Sequence, residues 1–192
     1  MKAPPARKLL AAAALVGSVG LVAAGAGPAV TPPARPSGAP MALATPHVIA
    51  FRATYHGTMS LLWSSSSVKV TSLVGTGSIP GVGASTLRGT GISSPSSTCD
   101  PFSGSGSITA AKGALVLRVV SSAKQSACAS GSAAPTTVSV KGVATVLTGR
   151  GIYLAAKGNL AISGSFSIQS TAAGSKESDQ FTATLVGKLT VK

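Results

Sequence analysis

Residues 181–191 read FTATLVGKLTV, and residues 160–168 read LAISGSFSI. In both stretches apolar or small residues occupy every second position, and mostly polar or small residues lie between them. Successive side chains of a β-strand point to opposite faces, so this period of two predicts strands with one buried and one solvent-facing side. The two stretches therefore predict a β structure around an apolar interior.

The same alternation recurs along the chain between clusters of Gly, Ser and Pro. No stretch after residue 45 has a helical period, and Val, Thr, Ser and Gly are abundant. We predict eight strands, at residues 47–55, 67–75, 85–92, 105–110, 114–121, 136–147, 158–169 and 180–192. Closing eight antiparallel strands removes exposed edges. The predicted fold class is all-β, a single antiparallel eight-stranded β-barrel, with a two-sheet β-sandwich as the alternative.

The N-terminus has the features of a secretory signal peptide. Lys2, Arg7 and Lys8 precede an apolar run at residues 9–24, and the small residues 24–26 (AGA) fit a cleavage site. A membrane anchor is the alternative, because the run is nearly long enough to span a bilayer. The signal-peptide interpretation predicts a secreted or extracytoplasmic location.

Three regions are predicted from this organisation. Residues 1–26 form the signal peptide, or residues 1–44 if cleavage follows the second small-residue motif at 42–44 (ALA). Residues 27–46 contain six prolines and are predicted to form a disordered Pro/Ala-rich leader. Residues 47–192 are predicted to form the barrel domain.

The chain is strongly basic, with 16 Lys and Arg against 3 Asp and Glu and a formal net charge of +13. The basic residues are scattered singly, without the Lys/Arg block that marks a nucleic-acid patch. We therefore predict no specific nucleic-acid partner, and no membrane contact once the signal peptide is removed. Scattered charge of one sign still attracts polyanions without specificity.

The two cysteines, Cys99 and Cys128, lie in a chain predicted to be exported. That setting favours a disulfide over a metal site or a nucleophile. Two free thiols are the alternative. A disulfide would close a loop between residues 29 positions apart, and such a loop constrains the unfolded chain.

Few residues could support catalysis. Glu177 and Asp179 follow the segment Ala-Ala-Gly-Ser and are interpreted as a solvated loop, and Asp100 as a turn residue. His47 and His56 are nine positions apart, so on one strand they face opposite sides, which argues against a shared metal site. We predict no catalytic, cofactor-binding or metal-binding residue, and no cofactor.

Several short segments carry a family resemblance. In chain order they are SLVGTG (72–77), GTG (89–91), GSITAAKG (106–113), TGR (148–150), AKG (156–158) and FTATLVG (181–187). Over about residues 66–191 this order resembles the allene oxide cyclase and dirigent-type barrels, a calycin-like eight-stranded group, in its exported bacterial branch. The family's corner motif Gly-Thr-Gly-Arg-Phe-Ala-x-Ala-Thr-Gly is altered here, since Leu147 replaces the first glycine and residues 151–155 are two residues longer.

The resemblance implies an eight-stranded barrel, and it implies cyclase activity only if acidic or polar groups point into the lumen. The residues that we assign to the interior include no ionisable side chain. We therefore expect an exported non-enzymatic protein, a scaffold or interaction module whose unknown partner could be a cell-envelope component. An allene oxide cyclase-like isomerase is the least favoured alternative.

A carrier of a small apolar ligand is the other alternative, because an eight-stranded barrel is just wide enough to hold one. The alternation predicts these residues to line the lumen: Val140, Ala144, Ile162, Phe166, Ala183 and Leu185. If their side chains fill the lumen, a carrier role fails. If they leave an apolar cavity of roughly a few hundred Å³, the carrier role gains support.

Overall fold

A computed structural model describes residues 45–192, and its regular structure is β throughout. The predicted signal peptide and nearly all of the predicted leader lie outside the described residues. Within the described part, no helix is long and apolar enough to cross a bilayer. The ten strands are β1 (His47–Trp63), β2 (Val68–Ile79), β3 (Gly83–Ser93), β4 (Cys99–Asp100), β5 (Phe102–Ala110), β6 (Gly113–Val119), β7 (Ser126–Ala129), β8 (Thr136–Gly151), β9 (Lys157–Ile168) and β10 (Lys176–Val191).

Eight of these strands close into an antiparallel barrel. The order around the barrel is β1, β2, β3, β5, β6, β8, β9 and β10, and β10 pairs back with β1 from His47↔Val191 to Leu62↔Lys176. This arrangement confirms the predicted barrel. The predicted strand at 47–55 is too short, because the alternation of β1 continues through Met59 and Leu61 to Trp63, all of them buried.

The two remaining strands, β4 and β7, were not predicted. β7 pairs with the first half of β8, while β6 pairs with its second half, so β6 and β7 follow one path interrupted by an excursion at residues 120–125. The buried Gln125 fastens this excursion, since its Nε2 donates a hydrogen bond to the Val120 carbonyl at 2.8 Å. β4 pairs with β7, and the predicted Cys99–Cys128 disulfide joins them.

The two ends of the barrel differ in how completely side chains fill the lumen. At the end where β10 finishes and β1 begins, the lumen is filled, and we call this the closed end. Its fully buried large side chains are Phe51, Tyr55, Ile108, Leu115, Tyr153, Leu160 and Leu189. Tyr153 comes from the loop at residues 152–156, and its ring centroid lies 6.2 Å from that of Phe51.

At the opposite end, which we call the mouth, part of the inner wall has no side chains. Gly89 lies directly opposite Gly106, and Gly91 lies opposite Gly104, on the neighbouring strands β3 and β5. A Cβ on Gly106 would lie 2.7 Å from the Arg88 carbonyl oxygen, so the close approach of the two backbones requires glycine there. This wall therefore leaves the lumen unfilled near the mouth.

Removing the disulfide should lower stability without changing the barrel. The link closes a separation of 29 residues, so we expect the Cys99→Ser/Cys128→Ser variant to lose about 3–4 kcal/mol of unfolding free energy on the loop-entropy model. Urea unfolding of the oxidised protein, the reduced protein and the variant measures this loss. A reducing agent should leave the variant unchanged. Equal stability of the oxidised and reduced wild-type protein would contradict the prediction.

Candidate functional site

A cavity of about 770 Å³ occupies the mouth half of the lumen. Three loops border its outer end, at residues 64–67, 95–98 and 131–134. Each follows a strand that runs toward the mouth, namely β1, β3 and β7. The cavity is therefore a cup, with the packed closed end as its base and the loops as its rim.

Aliphatic and aromatic side chains dominate the cavity wall. Of the six residues predicted to line the lumen, Val140, Ile162, Phe166, Ala183 and Leu185 line the cavity. Ala144 does not line it, because it is buried opposite Leu160, nearer the closed end. The aliphatic and aromatic lining residues absent from the prediction lie mostly on strands β1 to β7, and they are Met59, Leu61, Trp63, Val68, Val70, Leu73, Leu87, Ile92, Phe102, Leu117, Val119, Ala127, Ala129, Ala133, Ala134, Val138, Ile168 and Phe181.

Trp63, the single tryptophan of the chain, lies where the cavity meets the rim. Its Nε1 donates a hydrogen bond to Glu177 Oε1 at 2.6 Å. The other carboxylate oxygen of Glu177 accepts hydrogen bonds from the backbone N–H groups of Gln169 (2.8 Å) and Ser170 (3.3 Å). Glu177 therefore holds both the indole ring and the β9–β10 loop in place.

The interpretation of Glu177 and Asp179 as a solvated loop is wrong. Both lie within β10, and Asp179 is 7% exposed, opposite Met59 of β1. Asp179 continues the inward-facing set that includes Phe181, so the expectation of an interior without ionisable residues is also wrong. The parity of residues 177, 179 and 181 was the available signal, and the polar neighbours of the two acids obscured it.

The environment of Asp179 disfavours its charged form. Burial raises the pKa of this carboxyl group above its ordinary value, and the nearby Glu177 carboxylate raises it further. Oδ2 of Asp179 is buried without a hydrogen-bond partner among the described residues. Asp179 is not itself among the residues that line the cavity.

Asp100 has the opposite character. It lies in β4 and is buried, and it lines the cavity. Burial alone would raise its pKa, but hydrogen bonds from the backbone and hydroxyl groups of Ser96 and Ser97 outweigh it and lower the pKa below its ordinary value. The carboxylate is thus committed to ordering the rim loop at residues 95–98.

The histidines do not come together. His47 and His56 both lie on β1 and both are exposed. Nδ1 of His56 lies 3.1 Å from the Thr182 hydroxyl. Across residues 45–192, no group of three or more His, Cys, Asp or Glu side chains could hold a metal ion.

Asp179 and Asp100 should give opposite pH signatures when each is replaced by Asn. An unfolded Asp has a pKa of about 3.9. The folded pKa of Asp179 is raised above this unfolded value. Its contribution to stability is therefore fully present below about pH 3.9 and is lost as the pH rises through the raised pKa. We therefore expect Asp179→Asn to be more stable than wild type at neutral pH, with a difference that shrinks in acid.

Asp100→Asn is the matched control for this prediction. The folded pKa of Asp100 is lowered, so its stabilisation is present above about pH 3.9 and is lost as the pH falls through the lowered pKa. This variant should be less stable than wild type at neutral pH. Urea unfolding between about pH 3 and pH 8 measures both differences. A loss of stability at neutral pH in Asp179→Asn would contradict the assignment.

Comparison with known proteins identifies no relative. No family model, no curated protein sequence and no solved structure matches the chain. The resemblance to allene oxide cyclase and dirigent-type barrels therefore remains a prediction, and the geometry of the cavity is what the chain itself offers on function.

Proposed function

We propose that this protein is an extracytoplasmic carrier of a small, neutral, apolar molecule held in the mouth half of the barrel. The single observation that supports this function is the apolar cavity of about 770 Å³. Ligand cavities in proteins are typically about 300–1,000 Å³ and are lined mostly by apolar side chains. The disulfide is compatible with an oxidising location outside the cytoplasm.

The affinity would come from removing apolar surface from water. Each buried methylene group contributes about 0.8 kcal/mol, and association costs at least about 4 kcal/mol, so a ligand that buries about fifteen methylene groups retains about 8 kcal/mol. A free energy of about −8 kcal/mol corresponds to a micromolar dissociation constant. An apolar molecule of this size is therefore large enough for measurable binding without any hydrogen bond to the wall.

The charges around the cavity favour a neutral ligand. Among the described residues that line it, Asp100 and Arg88 are charged. The Asp100 carboxylate is engaged by Ser96 and Ser97, and Arg88 belongs to the exposed, outward-facing set of β3. A charged ligand would lose hydration without gaining a buried partner, which costs several kcal/mol.

The two other functions draw less support from the structure. A pure scaffold, which the sequence alone favours, would be served by a filled lumen such as that of the closed end. An isomerase would need a free ionisable group against the ligand, and the buried Asp179 is not among the residues that line the cavity. The carrier function uses the feature that distinguishes the mouth from the closed end.

Filling the cavity should abolish binding. We expect wild-type protein to bind N-phenyl-1-naphthylamine, a neutral apolar fluorophore, with quenching of Trp63 emission, because Trp63 lines the cavity. Ala183→Phe places a phenyl ring in this space and should weaken binding at least tenfold. Fluorescence titration of each variant measures the dissociation constant.

Val186→Phe is the matched control, because it adds the same ring to the outward face of the same strand, at an exposed position. It should bind the fluorophore as wild type does. Val140→Phe is a second cavity-filling variant, in case Ala183→Phe does not fold by circular dichroism. The carrier function is overturned if wild-type protein does not bind the fluorophore. It is also overturned if the outward-facing Val186→Phe variant weakens binding as much as the cavity-filling variants do.

A further inference from the structure

The closed end of the barrel exposes two large aliphatic side chains on one loop. In the loop at residues 152–156, Ile152 is 42% exposed and Leu154 is 57% exposed, while Tyr153 and Ala156 are buried in the base of the barrel. Burying Tyr153 turns its two neighbours outward, but it does not require them to be aliphatic. Serine occupies many of the other outward-facing positions of this chain, and it would be compatible with the fold at residues 152 and 154 as well.

The loop holds these side chains on a fixed backbone. The Ile152 N–H donates to the Lys112 carbonyl at 3.1 Å, and the Lys192 N–H donates to the Leu154 carbonyl at 3.1 Å. Within the loop, the Leu154 N–H donates to the Gly151 carbonyl at 3.0 Å. The loop is thereby tied to the β5–β6 turn and to the C-terminal residue.

Four cationic residues lie on the segments that flank this loop. Lys112 and Lys192 contact the loop through their backbones, and Arg150 and Lys157 lie at the flanking ends of β8 and β9. All four are exposed. We define Ile152, Leu154 and these four cations as the closed-end tip.

The acidic residues lie at the other end of the barrel. In the described part of the chain they are Asp100, Glu177 and Asp179, which belong to β4 and to the first residues of β10, both at the mouth. Asp100 and Asp179 are buried, and Glu177 accepts a hydrogen bond from Trp63. The closed-end tip is therefore a cationic surface with an apolar centre.

We propose that the closed-end tip docks on an anionic lipid surface. Exposed Ile and Leu side chains gain by entering the interface between headgroups and acyl chains, and Lys and Arg beside them attract anionic headgroups. A single-stranded nucleic acid would instead require aromatic platforms, and the aromatic residue of this loop, Tyr153, is 1% exposed. The inference does not depend on the proposed carrier function.

This proposal revises the expectation of no membrane contact after signal cleavage. The four cations are separated along the sequence, at residues 112, 150, 157 and 192. The fold brings these four residues to one end of the barrel. The sequence gives no sign of this cluster, because the four residues do not form a block of Lys and Arg.

Vesicle sedimentation tests the proposal. At roughly 0.15 M salt, wild-type protein should sediment with vesicles of equal parts phosphatidylcholine and phosphatidylglycerol, and not with phosphatidylcholine alone. Ile152→Ser/Leu154→Ser should weaken this binding at least tenfold. Val116→Ser/Val120→Ser, at positions away from the tip that are 40% and 59% exposed, is the matched control and should bind as wild type does.

A charge test accompanies the apolar one. Lys112→Glu/Arg150→Glu should weaken binding at least tenfold, whereas Lys69→Glu/Lys141→Glu makes the same change in net charge away from the tip and should weaken it less than threefold. Equal losses from the two pairs would show attraction by net charge only and overturn the proposal. The proposal is also overturned if the tip variants bind vesicles as wild type does. It is overturned as well if wild type binds single-stranded DNA but not vesicles, and the tip variants lose the DNA binding.

Self-association is the remaining occupant to test. If wild-type protein elutes as a dimer in size-exclusion chromatography, and Ile152→Ser/Leu154→Ser elutes as a monomer without any vesicle binding by either protein, the tip is a contact between two copies and the lipid proposal is overturned. A monomeric wild-type protein that binds anionic vesicles supports it. The fluorophore titration is unaffected by these variants, so the carrier function stands or fails separately.

Discussion

Closure of eight strands fixes the width of the lumen, and the side chains placed within that width decide what the molecule can do. An eight-stranded barrel is just wide enough for its inward side chains to fill it. At the closed end Phe51, Tyr55 and Tyr153 do so. At the mouth, Gly89 and Gly91 lie opposite Gly106 and Gly104, and a lumen of the same width is not filled by side chains. The cavity is thus a consequence of glycine placement rather than of a different architecture.

The barrel could be predicted because every strand shares one interior, so the same period of two recurs in each. The pattern of β10 alone, with Phe181, Leu185 and Leu189 inward, identifies a half-buried strand. The strands β4 and β7 could not be predicted, because two and four residues are too short for a period to be recognised. Their pairing depends on the excursion at residues 120–125 and on the disulfide, both of which are tertiary features.

The candidate site was predictable only in part. Alternation predicts which residues face inward, and Ile162 and Phe166, which it places in the lumen, line the cavity. Whether the lumen is hollow depends on which residues of distant strands lie opposite each other. Alternation within each strand does not determine this register between strands. Asp179 could not be predicted for a different reason: its neighbours in the sequence are polar and indicate a loop, although Asp179 shares the inward parity of Phe181.

The barrel also separates two kinds of surface that the linear sequence mixes. The acids lie at the mouth, where Asp100 and Glu177 fix the rim through Ser96 and Trp63. At the closed end, the buried side chain of Tyr153 helps to fill the lumen. A closed end that rests on a lipid surface would point the cavity away from that surface, since mouth and tip terminate opposite ends of the same strands. A ligand in such a cup would exchange with the aqueous side rather than directly with the bilayer, so the two proposals describe a tethered carrier and not a lipid extractor.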